Sequence, residues 1–510
     1  MKRIVTALGI AATITLGAHG APKNITSGAP DAKSGVVRAI AFDTAYTAIA
    51  GATLANPALS PLRHTVSNTD IAAGYRRVHY DTAPSSASGH GTGYGFFEAS
   101  TYILTGNAAI TGHAEYHNGK VYDVQASETT DASILYPYFT ADEIGGDMSR
   151  EVYSFGGSYA SGFGAGWLYG ASIDYTAVQD WRQVDPRPKN SVGRLNLAGA
   201  FGRKFGSYSL ALGLDALKYS QSNSIKFVSE LGAGKVYHLT GLGTDYKRFA
   251  GTGLSSNYSG WRYGADISLY PATEGVFGMA SYHRFTFDKQ LNDLNRLPVN
   301  RAAHTDWTVQ AGWRTDNIIV SLTWGRSRRT GFDNIFGDPV GQVYPEIASI
   351  ASYFMRSWHT GLSGLWRSQG TRHRLDLGGH IDFSHRLDCY ISAPVDRRMR
   401  ADAISYGIEA TWVWQCAGEW LLSLKGAADM VSPAKCSLTG LAGADGYFTD
   451  MLRADYAYLT HSRALYTARA GIDRLLPHGR TIGLRLSGVL PVCAGDSNGN
   501  GFEASAVFSF

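Results

Sequence analysis

The chain has 510 residues and a mass of 55.0 kDa, and its 46 basic and 42 acidic side chains give a formal net charge of +4. Charged residues make up only 17% of the chain, against about 25% in an ordinary soluble domain, whereas aromatic residues reach 12%. This composition excludes disorder, because an aromatic-rich chain of low net charge buries enough apolar surface to fold, and it excludes a nucleic-acid partner, which requires a strongly basic surface.

The N-terminus has the pattern of an export signal. Lys2 and Arg3 are basic, residues 4–17 are apolar, and small residues follow. This order predicts a secretory signal peptide over residues 1–21, and therefore export of the mature chain. Cleavage removes two basic residues and no acidic residue, which leaves 44 basic against 42 acidic side chains, a balance of +2.

The segment that follows, residues 22–68, is rich in Ala, Thr, Ser and Pro and has no regular hydrophobic period. It is shorter than most independent domains. We therefore expect it to lie in the periplasm or to plug the lumen of the structure that follows it.

From Ile71 to the C-terminus the chain repeatedly alternates apolar and polar residues. In residues 167–175 the odd positions are Trp, Tyr, Ala, Ile and Tyr, and the even positions are Leu, Gly, Ser and Asp. A period of two predicts a β-strand, because successive side chains point to opposite faces. About 18 such strands are predicted, at residues 70–80, 94–104, 109–117, 151–160, 167–177, 192–203, 207–219, 258–270, 276–287, 304–314, 318–328, 355–367, 371–385, 403–415, 419–431, 463–475, 480–491 and 502–510.

The strands and their connections have the dimensions of a transmembrane barrel. Most predicted strands have ten to thirteen residues; a strand needs about 9–11 to cross a bilayer, and soluble strands usually have about five or six. Short turns alternate with long connections, and the long connections are residues 118–150, 178–191, 220–257, 288–303, 329–354, 386–402 and 432–462. This asymmetry predicts an outer-membrane barrel with short periplasmic turns and long extracellular loops.

The predicted fold is therefore all-β: a closed antiparallel transmembrane β-barrel of about 18 strands over residues 69–510, with 16 or 14 strands as alternatives. The last strand alternates apolar residues and ends in Phe510, which resembles the assembly signal of outer-membrane barrels. We expect the cell outer membrane as the location, with its lipid and the barrel-assembly machinery as partners. A soluble propeller is not expected, because no repeat of about 40–50 residues is visible.

If the apolar face of each strand points outward to lipid, the opposite face lines the lumen. The candidate lumen-lining residues are then Arg374, Asp376, His380, Asp382, Glu409, Lys425, Asp429, Arg469, Asp473, Arg485 and Glu503. Interleaved charges of both signs favour ion pairs that support the wall over the single-sign ring of an ion-selective porin. Eighteen strands leave room for an open aqueous lumen or for a plugged one, and both alternatives stay open.

Phrases in the predicted loops carry a family resemblance. They include Tyr136-Pro137-Tyr138, residues 142–147, residues 185–190, Glu230-Leu231-Gly232 and residues 245–251. Together they resemble an uncharacterised family of outer-membrane β-barrel proteins from Bacteroidota, across residues 55–300 and more loosely to the C-terminus. The resemblance implies the fold and the location, and no activity.

A weaker resemblance lies near the N-terminus. Asn56-Pro57-Ala58 is similar to a phrase of the long-chain fatty-acid transporter superfamily. There the phrase lies near a plug of the lumen, and the resemblance implies the same place here. A simple turn is the alternative explanation of three such residues.

The loop phrases also carry charges that could cap the lumen or bind a ligand. Proline on both sides fixes the backbone at Arg187, and two glycines permit positive φ between Asp142 and Asp147. The candidate loop-ligand or plug residues are Asp142, Asp147, Asp185, Arg187, Lys189, Asn190, Asp245 and Arg248. We expect these loops to fold inward and pair with lumen charges, and an external ligand site is the alternative.

No catalytic, cofactor or metal site is predicted. His359 and His380 lie on predicted strands, and no local signature links either of them to a serine nucleophile. No close pair of histidines has the spacing of a zinc site. Residues 496–507 begin like a calcium loop, but Val507 stands where that motif requires a glutamate.

The four cysteines are too few for a disulfide scaffold. Cys389, Cys436 and Cys493 are expected in outer loops, where one disulfide between two of them is feasible in an oxidising compartment. Cys416 is expected in a periplasmic turn at the opposite end of the barrel, and therefore as a free thiol.

Three functional classes follow from these predictions, in order of preference. The first is a porin-like channel or transporter that passes or receives a small solute of unknown identity. The second is a non-conducting barrel that docks another component of the cell envelope, and the third, which we do not expect, is an outer-membrane enzyme. Residues 22–68 are too short for the large plug domain of a TonB-dependent receptor.

Overall fold

The computed structural model describes residues 42, 45–229, 234–251, 255–341, 343–392, 395–416, 418–494 and 497–510. The predicted signal peptide, residues 1–21, and the part of the N-terminal segment up to residue 41 lie outside the described residues. So do the loop phrase Glu230-Leu231-Gly232 and Asp496. In the part of the chain that is described, no helix is both long and apolar enough to cross a membrane.

Eighteen antiparallel strands of the described residues close into one barrel. Their bounds are β1 Asn68–Tyr80, β2 Gly91–Thr105, β3 Ala108–Val124, β5 Gly146–Phe163, β6 Trp167–Trp181, β7 Arg187–Phe205, β8 Tyr208–Lys226, β11 Ser256–Pro271, β12 Gly275–Leu291, β13 Leu297–Arg314, β14 Ile318–Phe336, β15 Glu346–Gln369, β16 His373–Ser392, β17 Val395–Gln415, β18 Trp420–Thr439, β19 Arg463–Leu475, β20 Thr481–Cys493 and β21 Ser497–Ser509. Each pairs with the next barrel strand, and β21 pairs back with β1, which closes the barrel. The prediction of about 18 strands is confirmed.

Exposure alternates along each strand and assigns its two faces. In β14, Val320, Leu322 and Trp324 are exposed, whereas Ser321 and Thr323 between them are buried. The apolar face therefore points outward, and the polar or small face points into the barrel, as the period of two requires.

The ladders extend further at the long-loop end than the sequence predicts. β3 runs to Val124 and β5 begins at Gly146, so the connection between them is shorter than predicted. Arg187, Lys189 and Asn190 belong to β7, and their prediction as loop residues was wrong. The reason is that backbone pairing continues where no apolar face is required, so the alternation that reveals a strand in the sequence ends before the strand does.

The same extension places three cysteines that were predicted in outer loops. Cys389 lies in β16, Cys436 in β18, and Cys493 is the last residue of β20. Cys416 directly follows β17 at a short turn, as predicted. All four cysteines are described, and all four thiols are free.

The short connections lie at one end of the barrel, the turn end, and the long connections lie at the other, the loop end. A segment before β1, residues 45–67, enters the turn end and is called the plug; it contains a helix, Ala45–Ile49, and the 3-10 helices Thr53–Ala55 and Pro57–Leu62. Three segments at the loop end, residues 126–142, 234–251 and 447–460, are called the cap. They contain helix Ala132–Leu135, strands β4 Thr140–Ala141, β9 Tyr237–Gly241 and β10 Thr244–Asp245, the 3-10 helix Lys247–Phe249 and helix Tyr447–Thr460. Two further 3-10 helices, Asn292–Leu294 and Pro477–Gly479, lie in connections.

Candidate functional site

The plug lies inside the lumen at the turn end. Tyr46, Leu54 and Leu59 are buried against inner-face residues of six barrel strands. These wall residues are Leu168, Ala211, Tyr270, Phe277, Ile319 and Leu365. Burial of one such aliphatic or aromatic side chain stabilises the packed state by about 1.5–3 kcal/mol. A polar contact fixes the position of the plug along the wall, because Thr53 Oγ1 donates to Gln310 Oε1 at 3.0 Å.

Asn56-Pro57-Ala58 lies inside the lumen, at the start of a 3-10 helix of the plug. Asn56 Oδ1 accepts a hydrogen bond from Ala58 N at 3.0 Å, and Asn56 Nδ2 donates to Asp266 Oδ2 at 2.8 Å. The wall offers a close fit there, since a Cβ at Gly170 would come within 2.5 Å of the Pro57 backbone. The phrase therefore both caps a helix and attaches the plug to the wall.

The first cap segment, residues 126–142, folds into the lumen at the loop end. Tyr138 is fully buried, and a Cβ at Gly331 of β14 would come within 2.5 Å of its hydroxyl. Asp131 accepts hydrogen bonds from Arg194 and, at 3.1 Å, from Tyr219. These contacts join the segment to strands β7, β8 and β14, so it packs against several neighbouring parts of the wall.

Three charged side chains are fully buried beside this segment: Glu128, Asp142 and Arg182. Arg182 Nη2 donates to Asp142 Oδ2 at 2.5 Å and lies 3.8 Å from Glu128 Oε1. The amides of Ile144 and Gly145 donate to Asp142 Oδ1, each at 2.6 Å. Burial and the neighbouring Asp142 raise the pKa of the Glu128 carboxyl well above its ordinary value. The two carboxyl groups therefore share one guanidinium, and burial favours the protonated form of Glu128.

Two further basic groups are buried between the cap and the wall. Lys289 of β12 is fully buried and donates to Phe139 O at 3.3 Å. His238 is buried in the small sheet that β9 forms with β4 and β10, where burial lowers the pKa of its imidazole well below its ordinary value. The histidine is therefore neutral, and Lys289 ties the cap directly to β12.

The helix Tyr447–Thr460 covers the other side of the cap. Phe448 packs against Tyr237 of β9, with 4.9 Å between ring centroids. Asp455 accepts hydrogen bonds from Ser86 N at 2.7 Å and from Ser86 Oγ at 3.2 Å, in the loop between β1 and β2. Burial raises the pKa of the Asp455 carboxyl to about 6. A single carboxyl thus fastens this helix to the loop between β1 and β2, only a few strands away around the rim.

Between plug and cap, charged side chains that point inward are still accessible to water. The exposed fraction of the side chain is 46% for Asp174, 39% for Asp429 and 40% for Lys425. Glu115 on the inner face of β3 is also exposed. Inward-pointing side chains keep such exposure only beside open space, so the described part of the lumen contains a water-accessible chamber between the plug and the cap.

Histidines meet carboxylates on the chamber wall. Five inward-facing pairs are His117–Glu98 at 3.2 Å, His113–Asp174 at 3.9 Å, His283–Asp215 at 3.0 Å, His304–Asp306 at 2.8 Å and His380–Asp429 at 3.7 Å. They are distributed around the wall from β2 to β18 and do not converge on one point. Within the described ranges, no group of three or more His, Cys, Asp or Glu side chains is placed to hold a metal ion.

Glycines on the neighbouring strand let these side chains lie flat against the wall. A Cβ at Gly264 would come within 2.2 Å of the His283 ring. A Cβ at Gly361 would come within 1.7 Å of Asp382 Oδ1. Only glycine leaves room for such close approach. Flat side chains keep the middle of the lumen free.

All eleven predicted lumen-lining residues lie on the inner face of the barrel. Most of them meet an opposite charge: Arg374–Asp376 at 3.2 Å, Lys425–Glu409 at 2.6 Å, Arg485–Asp473 at 2.6 Å, Glu503–Arg76 at 2.7 Å and His380–Asp429 at 3.7 Å. Asp382 lies over Gly361 of β15, and Arg469 shares the inner face of β19 with Asp473. Opposite charges therefore meet pairwise on the inner face, within one strand, between neighbouring strands or, for His380 and Asp429, across one intervening strand.

Three of the eight predicted loop residues, Asp142, Asp245 and Arg248, lie in the cap, and a fourth, Asn190, contacts it. Asp142 is the acceptor for Arg182, and Asn190, on the inner face of β7, donates to Glu128 O at 2.7 Å. Asp185, between β6 and β7, instead contacts the segment that follows β8, where the amides of Ser229 and Val228 lower the pKa of its carboxyl.

Arg187 and Asp245 contact near neighbours in the chain, whereas Arg248 reaches the end of β14. Arg187 Nε donates to Asp185 at 2.7 Å, and Asp245 accepts from its near neighbour Lys247 at 2.5 Å. Arg248 donates to the backbone of β14 and its following loop, at Phe336 and Gly337. The remaining two, Asp147 and Lys189, are exposed, and Asp147 accepts from an amide at the end of β3.

Several residues of the site were missed in the sequence. Asp215, Asp266 and His283 occupy inner positions of alternating strands, so the alternation that gave the eleven lumen residues would have found them too. Glu128 and Arg182 lie in irregular loops, where no periodicity marks which side chain becomes buried.

Comparison with known proteins places the chain in a family. Residues 57–510 match a family of unknown function, DUF6850. The chain belongs to this family. The family has no described activity, and no curated protein sequence matches the chain.

Solved structures that resemble this member of the family include three outer-membrane-type barrels. They are the ferric preacinetobactin receptor of Acinetobacter baumannii (TM-score 0.42, 10% identity, 87% of this chain and 80% of that chain), the ferric-catecholate import receptor Fiu of E. coli K12 (0.40, 8%, 88% and 82%) and the copper transporter OprC (0.39, 7%, 86% and 80%). Scores and identities this low assign neither a ligand nor an activity to this chain.

Proposed function

We propose that the protein is an outer-membrane β-barrel that receives a small hydrophilic solute in its chamber and passes it on when the plug and the cap yield. The chamber carries this proposal: it is a polar, water-accessible space that two parts of the same chain, outside the barrel strands, separate from the exterior. Passage through such a barrel requires these parts to move, whereas the wall stays in place.

The outer surface supports the membrane location. Leu214, Ile408 and Leu484 point outward and keep 70%, 71% and 61% of their surface exposed. A continuous belt of exposed apolar side chains is unfavourable in water and favourable in lipid. A closed barrel also satisfies its backbone hydrogen bonds without water, which a bilayer requires. The export signal predicted for residues 1–21 agrees with this location.

The charges of the wall favour a hydrophilic solute and do not favour one sign of charge on that solute. Many of the wall's acidic side chains are paired with arginine, lysine or histidine, as in Lys425–Glu409 and Arg262–Asp215. A selective ring would require unpaired charges of one sign at one level. The chamber therefore favours small polar molecules over a defined ion.

Two other roles have less support. A non-conducting docking barrel agrees with the two closed ends, but it has no need of a water-accessible chamber. We also propose that the protein is not an enzyme, because the rings of His117, His283 and His304 make no hydrogen bond to a serine or cysteine among the described residues.

The test displaces the plug by a substitution in the barrel wall, so that the sequence of the plug is unchanged. In Gly170→Leu the new side chain occupies the position of the Pro57 backbone, since even a Cβ would come within 2.5 Å of it. In the control Gly199→Leu the side chain enters open space on the outer face of the adjacent strand, where nothing lies within 4 Å. Single-channel conductance of each purified protein is measured in planar bilayers, after heat-modifiable gel migration has shown a folded barrel.

The proposal expects rare or small openings for the wild type and for Gly199→Leu, and large stable steps for Gly170→Leu. Swelling of liposomes in sugars of increasing size then gives the solute cut-off. Silence of a folded Gly170→Leu barrel would contradict a plug-gated lumen and would favour the docking role.

A further inference from the structure

Four arginines form a basic patch on the outer surface of the barrel, near the loop end. They are Arg284 of β12, Arg326 and Arg328 of β14, and Arg356 of β15. All four are exposed, and each alternates along its strand with inward-facing residues such as the buried Ser327 and Met355. We call these four residues the arginine patch.

The pairing register brings the patch together across four strands. Arg284 is the Cα partner of Thr305, Thr305 is the partner of Arg328, and Arg328 is the partner of Arg356. Neighbouring strands are about 4.8 Å apart, so this row spans about 14 Å. Arg326 lies one outward position below Arg328 on the same strand.

The patch is charged and uncompensated. None of its four side chains forms an ion pair or a side-chain hydrogen bond with another described residue. Other outward arginines nearby are compensated, because Arg301 lies 3.7 Å from Asp288 and Arg398 lies 3.5 Å from Asp396. Like charges directly opposite each other destabilise a sheet. Arg328 and Arg356 therefore need an anion from outside the chain.

The height of the patch indicates where that anion comes from. Along β14 the outward side chains change from Ile318, Val320 and Leu322 to Trp324, and then to the two arginines. At about 3.4 Å per residue and a tilt of about 40°, Arg326 and Arg328 lie about 21–26 Å above Ile318, and the apolar band of such barrels is about 25 Å tall.

Aromatic side chains mark the same level. Arg326 has a tryptophan as Cα partner on each side, Trp307 of β13 and Trp358 of β15. Both tryptophans are exposed on the outer surface. Tryptophan is enriched where a bilayer meets water, so the arginines stand at the level of lipid headgroups.

We infer that the arginine patch binds the phosphate groups of a phosphorylated glycolipid of the outer leaflet. Guanidinium groups bind phosphate through paired, charge-assisted hydrogen bonds, and a multiply phosphorylated headgroup can bridge arginines on neighbouring strands. The lipid chains would then lie against the apolar side chains below the patch. The inference rests on the membrane location proposed above and is independent of transport through the lumen.

The test measures binding of three probes to the purified full-length protein in detergent micelles. The probes are lipid A with both phosphates, the same lipid A after removal of its phosphates, and inorganic phosphate. The test variant is the pair Arg328→Gln/Arg356→Gln. The matched control is Arg301→Gln/Arg398→Gln, which removes the same charge from outward arginines that already have carboxylate partners.

The inference expects lipid A to bind the wild type, binding to fall at least about tenfold in the test variant, and the control variant to keep its affinity. Arg328→Lys/Arg356→Lys, which keeps the charge, should retain part of the binding. Equal binding of dephosphorylated lipid A, equal losses in test and control variants, or inorganic phosphate that binds as tightly as lipid A would each overturn a lipid-phosphate site.

Heat-modifiable migration and insertion into liposomes separate this inference from the proposed function. A wild type that inserts but does not bind lipid A overturns the patch alone, and its conductance after Gly170→Leu remains a separate test of transport. A wild type that fails to insert as a folded barrel overturns the membrane location and the inference together.

Discussion

At the scale of single residues, the chamber wall places a glycine beside a charged side chain on the neighbouring strand. The chain has 60 glycines, and at the wall their role is to let a neighbour's carboxylate or imidazole lie flat. A charge that stands upright would narrow the lumen and would lose contact with its partner on the next strand. The high glycine content is therefore explained in part by the space that polar side chains need when they lie flat on the wall.

Gly361→Ala tests this device. The added Cβ would lie 1.7 Å from Asp382 Oδ1, so Asp382 must turn into the lumen, and we expect a loss of about 1–3 kcal/mol in stability from overpacking. The measurement is the temperature at which the folded, fast-migrating form is lost. Gly364→Ala is the control, because it lies on the same strand and its nearest neighbours are at 3.5 Å. If both alanines lower the temperature equally, the flat carboxylate is not the cause.

Asp455 makes the docking of the cap helix depend on pH. Burial raises the pKa of its carboxyl to about 6, from about 3.9 in an undocked chain. The protonated form is therefore favoured in the docked state. Its contribution to the free energy of docking, of order 3 kcal/mol, is complete below pH 4. This contribution is lost as the pH rises toward 6, and the free energy of docking stays constant above that pH.

The measurement is hydrogen exchange of residues 447–460 between pH 4 and pH 7.5, corrected for intrinsic rates. Protection in the wild type should fall as the pH rises through this window. In Asp455→Asn the pH dependence should disappear. Asp450→Asn, on the same helix and paired with Arg453 at 2.6 Å, should leave it in place. A pH profile in Asp455→Asn like that of the wild type would assign the effect to another group.

At the scale of elements, the barrel strands and the lumen segments are held by different forces. Strands are joined by continuous backbone ladders, whereas the plug is held by side-chain packing and a few polar contacts such as Asn56–Asp266 and Thr53–Gln310. Local opening starts where ladders are absent. We therefore expect the plug to loosen before the wall unfolds.

Asn56→Ala should loosen the plug selectively. It removes the cap of the 3-10 helix and leaves Asp266 without its amide partner, which together cost about 1–3 kcal/mol. Hydrogen exchange of residues 45–66 should rise while that of the barrel strands is unchanged. Asn257→Ala on β11, outside the plug, is the control. An unchanged plug, or equal loosening of the strands, would contradict this account.

At the scale of the whole molecule, closure depends on the pairing of the last barrel strand with the first. Phe510 N donates to Thr69 O at 3.0 Å and Thr69 N donates to Phe510 O at 2.9 Å, so the last residue completes the pairing of β21 with β1. The aromatic side chain itself is exposed. Its contribution to the stability of the closed barrel is therefore smaller than that of the backbone ladder.

Phe510→Ala should impair assembly in cells more than stability. We expect less folded barrel in the outer-membrane fraction, because recognition by the assembly machinery is weakened. After refolding in detergent, heat-modifiable migration should be nearly normal. Phe508→Ala, two residues earlier on the same outward face, is the control. Equal defects in both variants, or a refolded Phe510→Ala barrel that melts much earlier, would argue for a structural role instead.

The sequence by itself determined the barrel. A strand that faces lipid on one side must alternate, so the period of two gave the strand number, the faces, the short and long connections, and inward positions such as Arg374 and Glu503. Where lipid does not impose that alternation, as at Arg187 and Cys389, the ends of the strands were missed.

Only the tertiary structure decided what fills the barrel. The contacts that close the lumen join residues far apart in the chain: Tyr46 with Thr315, Asn56 with Asp266, and Asp142 with Arg182. Loops and the plug have no periodicity, and burial of a loop charge such as Glu128 depends on which partners the wall presents after closure. Alternation is imposed locally on each strand by its two surroundings, whereas the chamber arises from packing between segments that meet only when the barrel has closed.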